Sequence, residues 1–253
     1  MTQYFSSAPV VAPAACAATL QRQGYAVLGA DAVCALSGCS AQALHALRDT
    51  WADLPPDNYL KDGGHYRRRR HTCFVVKDSA VTPVPHRAHW QPLEYNALHG
   101  GMQRLFEPIS PEVMAQPVWT ALLHWLGAVC SGLRGAQPWF VEAHQFRIDT
   151  TDGIGRPTPE GAHRDGVDMV AVFLVNRQHI KGGETRVFDV EGPNGQRFTL
   201  AEPWSVLLLD DARVIHESTP IQPITPQGLS PQDCFRDTLV VTLRAHGFQG
   251  DGA

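Results

Sequence analysis

Long apolar runs are missing from this chain. None approaches the roughly 18 to 20 residues that a bilayer-crossing helix needs, and the N-terminal stretch "MTQYFSSAPVVAPAACAATLQRQG" lacks the basic n-region of a secretory signal. The expectation is a cytoplasmic protein with no membrane partner. No C-x-x-C pair occurs either, and the six cysteines (Cys16, Cys34, Cys39, Cys73, Cys130 and Cys234) lie far apart. That excludes a zinc ribbon or a secreted disulfide framework and leaves reduced, mostly buried thiols. Positive charge is not in excess: 21 Lys and Arg stand against 25 Asp and Glu, for a net charge of −4. Such a balance disfavours nucleic acid as a partner. Internal repeats are absent, and biased sequence is confined to a Pro-rich loop at 220 to 231.

What is present starts with an anomaly. The stretch "HYRRRRHTCFVV", residues 65 to 76, places four arginines in a row. In an extended strand Tyr66, Arg68 and Arg70 line one face, and Arg67, Arg69 and His71 line the other, so at most half the charge serves any one site. The preferred inward row is Tyr66, Arg68 and Arg70, where one guanidinium fork could hold a single substrate carboxylate.

At 43% hydrophobic and 18% charged residues, the composition is that of an ordinary globular protein. One domain is expected over 1–253, with a mixed helix and strand support region at 1–135 and a β-rich core at 136–247. Apolar positions recur at helical spacing over 11–23 and 40–53, with Ser40 as N-cap of the second, and "GYAVL" between them reads as a strand. A further helical stretch at 112–134 restarts at Pro117, a first-turn proline. Beyond residue 139 short β-branched and aromatic runs alternate with Gly and Pro, without helical patterns between them. That makes the fold class mainly β with flanking helices, an antiparallel sandwich or jelly roll.

The chemistry sits in that half. In "EGAHRDGVDMVAVFLV", His163 and Asp165 stand two apart ahead of a strand, so both side chains point to one side. Fifty-three residues on, "SVLLLDDARVIHESTP" supplies His216 at a strand end. Two histidines and one carboxylate form the facial ligand set of non-haem Fe(II), leaving three octahedral positions open. A bidentate 2-oxo acid fills two and O2 the third. If that acid is 2-oxoglutarate, its distal carboxylate needs a cation, and "CFRDTLVVTLR" offers Arg236, with Thr238 on the same face of the strand.

The segments "HRDGVDMV" (163–170), "GGETRVF" (182–188), "LLLDDARVIHESTPI" (207–221) and "RDTLVV" (236–241) resemble the Fe(II)/2-oxoglutarate-dependent dioxygenases. "LQRQGYAVL" and "YRRRRHTCFVV" extend the resemblance, more narrowly, to the bacterial group that includes L-isoleucine 4-hydroxylase. The resemblance implies a double-stranded β-helix (jelly roll, cupin-like) core, iron on His163, Asp165 and His216, and 2-oxoglutarate on Arg236 with Thr238. It also implies hydroxylation of a small free amino acid, with release of succinate and CO2. Strand "VEAHQFRI" is where such proteins place co-substrate contacts, which makes Gln145 a candidate with His144 pointing away. His71, His86, His89 and His99 read as surface or core residues, and Asp210 and Asp211 as a turn, with support of the iron ligands from behind as their alternative role. Tailoring of a peptide or natural product, nucleobase demethylation, and non-catalytic metal or ligand binding on a cupin-like barrel stay open as alternatives.

Overall fold

The computed structural model describes residues 7–224 and 228–251. The first six residues, 225–227 within the Pro-rich loop, and the last two lie outside them. In chain order the elements begin with helix α1 (Cys16–Gln23), strand β1 (Tyr25–Leu28), helices α2 (Ala30–Ser37) and α3 (Ala41–Arg48), and strands β2 (Arg67–Lys77) and β3 (Ala80–Pro83). Helices α4 (Pro111–Met114) and α5 (Pro117–Arg134) follow, then strands β4 (Trp139–Asp149), β5 (Met169–Gln178), β6 (Ile180–Gly182) and β7 (Thr185–Asp189). Strands β8 (Gly195–Phe198), β9 (Val206–Asp210), β10 (Val214–Ser218), β11 (Ile221–Pro223) and β12 (Phe235–Arg244) complete the order.

The strands form a seven-stranded sheet in the order β1-β9-β5-β12-β4-β2-β3, a three-stranded sheet β10-β7-β8, and the pair β11-β6. Every named pairing is antiparallel. The mainly β jelly-roll expectation therefore holds, with one addition. Strands β1, β2 and β3 come from the first 135 residues and belong to the large sheet itself, not to a separate support.

Period-two alternation sorts the large sheet into two faces. On β12, Leu239, Val241 and Leu243 join the core that includes α1, α3 and α5, while Arg236, Thr238, Val240 and Thr242 line a cavity on the opposite face. Helix α5 follows its 3.6-residue period onto the outer face, burying Val118, Trp119, Leu122, Leu123, Trp125, Leu126 and Cys130. Each such side chain contributes roughly 1.5–3 kcal/mol. Pro117 opens this helix, and the Ser40 hydroxyl caps α3 by accepting from the Ala43 N–H at 3.1 Å. Helix α2 occupies a stretch to which the sequence assigned nothing, because eight Ala-rich residues carry too short an apolar period. On the inner face a second apolar cluster (Val170, Leu174, Val187, Phe198, Leu207, Leu209 and Val214) joins the large sheet to the three-stranded one.

Gly182 makes the turn after β6 possible. Its φ is +81°, and a Cβ there would lie 2.2 Å from the Pro220 carbonyl oxygen, so both backbone conformation and space require glycine. Among the described residues no helix is long and apolar enough to cross a membrane. All six cysteines are free, with Cys34 and Cys39 partly exposed.

Candidate metal and co-substrate site

His163 and His216 face each other as a backbone pair. The His163 N–H donates to the His216 carbonyl at 3.0 Å and the His216 N–H returns the bond at 2.9 Å. Residues so paired project their side chains to one side, and the ring centroids stand 4.7 Å apart. Strand β10 thus carries His216 in its middle rather than at its end. Asp165 bridges the two: one carboxylate oxygen lies 3.8 Å from His163 Nε2 and the other 3.8 Å from His216 Nε2. All three ligand atoms lie within 4.8 Å of one another.

The donor set fits a divalent cation. His163 Nδ1 lies 3.0 Å from the Gly161 carbonyl, an acceptor, so the ring proton sits on Nδ1 and the Nε2 lone pair faces Asp165. Burial pulls the His163 imidazole down, but Asp165 and Glu160 overcome it and hold its pKa above the ordinary value, whereas burial and His163 keep His216 well below. Burial also pushes the Asp165 carboxyl above its ordinary value, against the pull of His163.

Asp211 builds the loop that presents Asp165. Its carboxylate accepts the backbone N–H groups of Asp165 at 3.0 Å, Gly166 at 2.7 Å and Val167 at 3.1 Å. Burial and the facing Asp165 push this carboxyl up to about 7, against the pull of those three donors. Of the two roles open to Asp211, these contacts match the support of a candidate ligand. Asp211→Asn turns an amide N–H toward backbone donors and should weaken Fe(II) binding by about 10- to 100-fold. Anaerobic metal titration checks this; unchanged affinity would remove Asp211 from the positioning of Asp165.

Arg236 and Thr238 line the same cavity as the three candidate ligands. Arg236 is 4% exposed and, among the described residues, its guanidinium has no carboxylate within 4.0 Å and no hydrogen-bond acceptor. Burial, then the neighbouring Arg177, lowers its pKa to about 10, so it stays charged at neutral pH. A β-bulge interrupts the β12 to β5 ladder between Asp237 and Thr238, yet both Arg236 and Thr238 reach the interior.

Gln145 does not. It faces away from the cavity and donates to the Thr50 hydroxyl at 3.0 Å, while Arg147 on the same face makes a bidentate pair with Asp237. The inward residues of β4 are Glu142, His144, Phe146 and Ile148, the reverse of the expected phase.

The arginine run is corrected in the same sense. Arg67 and Arg69 line the cavity and share Asp57, at 2.7 and 3.7 Å. Arg68 and Arg70 turn outward to Asp149 at 3.6 Å and Glu107 at 2.9 Å. Tyr66 is buried but is not a cavity residue, and its hydroxyl donates to Asp62 at 2.7 Å. The inward pair is chosen by β4: Arg67 lies opposite Ile148 and Arg69 opposite Phe146. Arg69 is held between the Phe106 and Phe146 rings, 3.7 and 4.3 Å from their centroids. No two adjacent guanidiniums of the run share a face.

Sequence reasoning missed the cavity's second polar group. Glu142 lies 2.7 Å from His71 Nε2 and 2.7 Å from His89 Nδ1. Burial pushes the Glu142 carboxyl up, but the two imidazoles outweigh it and hold its pKa below the ordinary value, so it accepts from both rings. These residues and His144 come close enough to hold a metal. However, Arg69 donates to His144 Nδ1 at 2.6 Å, which uses that nitrogen's lone pair and sets a guanidinium beside the cluster. The only sequence signal was the inward period of β4, available once its phase is known.

A profile of the 2OG-Fe dioxygenase family matches residues 48–242. The crystal structure of a bsmA homologue from Methylobium petroleophilum is 51% identical, covers 98% of each chain and superposes with a TM-score of 0.90. IDO from Bacillus thuringiensis is 16% identical over 93% of this chain and 100% of its own (TM-score 0.73). The Fe(II)/(alpha)ketoglutarate-dependent dioxygenase TqaL is 19% identical over 94% and 89% (TM-score 0.70). The last two show a shared fold. No curated protein matches the chain. With a family profile spanning most of the sequence and a His, Asp, His cluster on a jelly-roll cavity, this chain belongs to the 2OG-Fe dioxygenases, oxidoreductases that use Fe(II), 2-oxoglutarate and O2.

Proposed function

We propose that this enzyme hydroxylates an unactivated C–H bond of a small, aliphatic, free L-amino acid. The reaction consumes O2 and 2-oxoglutarate and yields the alcohol, succinate and CO2. His163, Asp165 and His216 hold Fe(II), and Arg236 with Thr238 takes the distal carboxylate of 2-oxoglutarate. Bound there, metal and co-substrate supply the oxidation of a C–H bond by O2; the protein supplies binding, orientation and exclusion of water. The observation that carries this reading is one cavity lined both by a three-donor metal cluster and by a buried guanidinium without a carboxylate partner.

Support for an amino acid comes from the rest of the lining. Charged groups of both signs, Arg104 and Glu142 among them, line the same cavity as apolar Phe146, Ile148, Val172 and Val240. A zwitterion with an aliphatic side chain matches that mixture. The experiment supplies Fe(II), 2-oxoglutarate and each proteinogenic L-amino acid in turn. The expected result is succinate release dependent on one or a few of them, with product heavier by one oxygen atom. Absence of amino-acid-dependent succinate across the panel would overturn the reading.

A further inference from the structure

Four buried arginines belong to this cavity, and they differ in what neutralises them. Arg67 and Arg69 share Asp57, and Arg236 is assigned to the co-substrate. Arg104 is left, 2% exposed, with no carboxylate within 4.0 Å among the described residues. One terminal nitrogen donates to Gln91 Oε1 at 2.9 Å, and its Nε has no partner. A buried guanidinium paired only with a neutral amide carries a desolvation penalty that an incoming anion would offset. Gln91 also ties the position to the metal cluster: its Nε2 donates to Asp165 at 3.1 Å and its Oε1 accepts from Asn96 at 3.2 Å.

His89 is the direct backbone partner of Arg104. The two exchange both hydrogen bonds at 3.0 Å, and both line the cavity. Burial keeps the His89 imidazole neutral, with its pKa lowered to about 4. Its Nδ1–H is used by Glu142 at 2.7 Å, so Nε2 carries a lone pair with no partner among the described residues. A cationic fork of N–H donors and an acceptor backed by a carboxylate therefore stand side by side, about 5.5 Å apart at Cα by the geometry of such a pair.

We propose that Arg104 holds the carboxylate of the organic substrate and that the His89 and Glu142 pair accepts from its ammonium group. The head of an α-amino acid, where both charges sit on one carbon, is thus read by the segment between β3 and α4 together with Glu142 of β4, and not by the arginine run. The proposal rests on the amino-acid reading above and names the groups behind it.

The test measures anaerobic binding, with Fe(II) and 2-oxoglutarate present, of the amino acid that gives the greatest succinate release with wild-type enzyme. Its decarboxylated amine and its deaminated acid are measured alongside. Arg104→Gln should weaken the amino acid and the acid by at least about 30-fold, leave the amine within a factor of about two, and spare 2-oxoglutarate binding. His89→Asn keeps an amide N–H where Nδ1 donates to Glu142 but deletes the Nε2 acceptor. It should weaken the amino acid and the amine by about 10-fold, within the range for a hydrogen bond to a charged group, and leave the acid unchanged. The crossed pattern separates head-group recognition from general damage, and retained 2-oxoglutarate binding reports an intact fold. Equal losses for all three ligands, or unchanged amino-acid affinity in Arg104→Gln, would overturn the subsite alone. Wild-type enzyme that binds no amino acid would overturn the functional reading with it.

Discussion

Asp165→Ala is expected to weaken Fe(II) binding by more than the 10- to 100-fold typical of an outer hydrogen-bond partner, on the order of 10³-fold, and to abolish substrate-dependent succinate release. Asp165 places its two oxygens 3.8 Å from His163 Nε2 and His216 Nε2, and it is the only anionic member of the set. Without it, two imidazoles remain to hold a dication. The fold should survive. The histidines keep their reciprocal backbone bonds, and the Asp211 contacts are to backbone N–H groups that alanine retains. Thermal unfolding with and without Fe(II) reads both points. Wild type at metal about 100-fold above Kd gains about 2.7 kcal/mol, a Tm rise of roughly 5–10 °C for a chain of this size. The variant should show none of that rise and nearly the same metal-free Tm. A variant that still gains stability from Fe(II) would sink the assignment of Asp165.

The grouping of the three candidate ligands was legible because local geometry fixes it. His163 and Asp165 are two apart, and His216 follows on a strand that pairs back across the site. The face shared by Arg236 and Thr238 was legible for a similar reason: Leu239, Val241 and Leu243 mark the outer face of β12, so Arg236, Thr238 and Thr242 fall on the inner one, although Asp237 and Val240 break the alternation. Both readings use neighbours in sequence.

Strand phase was not legible where both faces are polar or both are buried. In "RRRRHT" each face carries arginine, and in "VEAHQFRI" each face carries a polar group. A one-residue slip then changes no hydrophobic count. Tertiary partners choose instead: Asp57 takes Arg67 and Arg69, and Asp237 takes Arg147 to the far side. Arg104 and Gln91 were invisible for another reason. They lie in a stretch without regular strands, ordered by the His89 and Arg104 bridge and by turn hydrogen bonds around Gln91 and Asn96, and no periodicity marks it.

Arg236→Met should raise KM and Kd for 2-oxoglutarate by about 10²–10³-fold, the range for deleting one partner of a buried hydrogen-bonded charge pair, while leaving Fe(II) affinity unchanged. The same substitution should stabilise the ligand-free protein. Arg236 is buried beside Arg177, and burial has lowered its pKa to about 10, so the empty cavity holds a cation that the fold does not neutralise. An unbranched apolar side chain of similar length removes that penalty, and each kcal/mol recovered should raise Tm by roughly 2–4 °C. Opposite signs for stability and co-substrate binding are what a functional charge predicts and a structural one does not. Arg236→Lys keeps the charge but loses the planar fork, so its KM should fall between wild type and Arg236→Met. Selectivity gives the sharper readout. Wild type should prefer 2-oxoglutarate to 2-oxobutyrate, which lacks the distal carboxylate, and Arg236→Met should lose most of that preference. A variant that keeps it would show that the distal carboxylate is held elsewhere in the cavity.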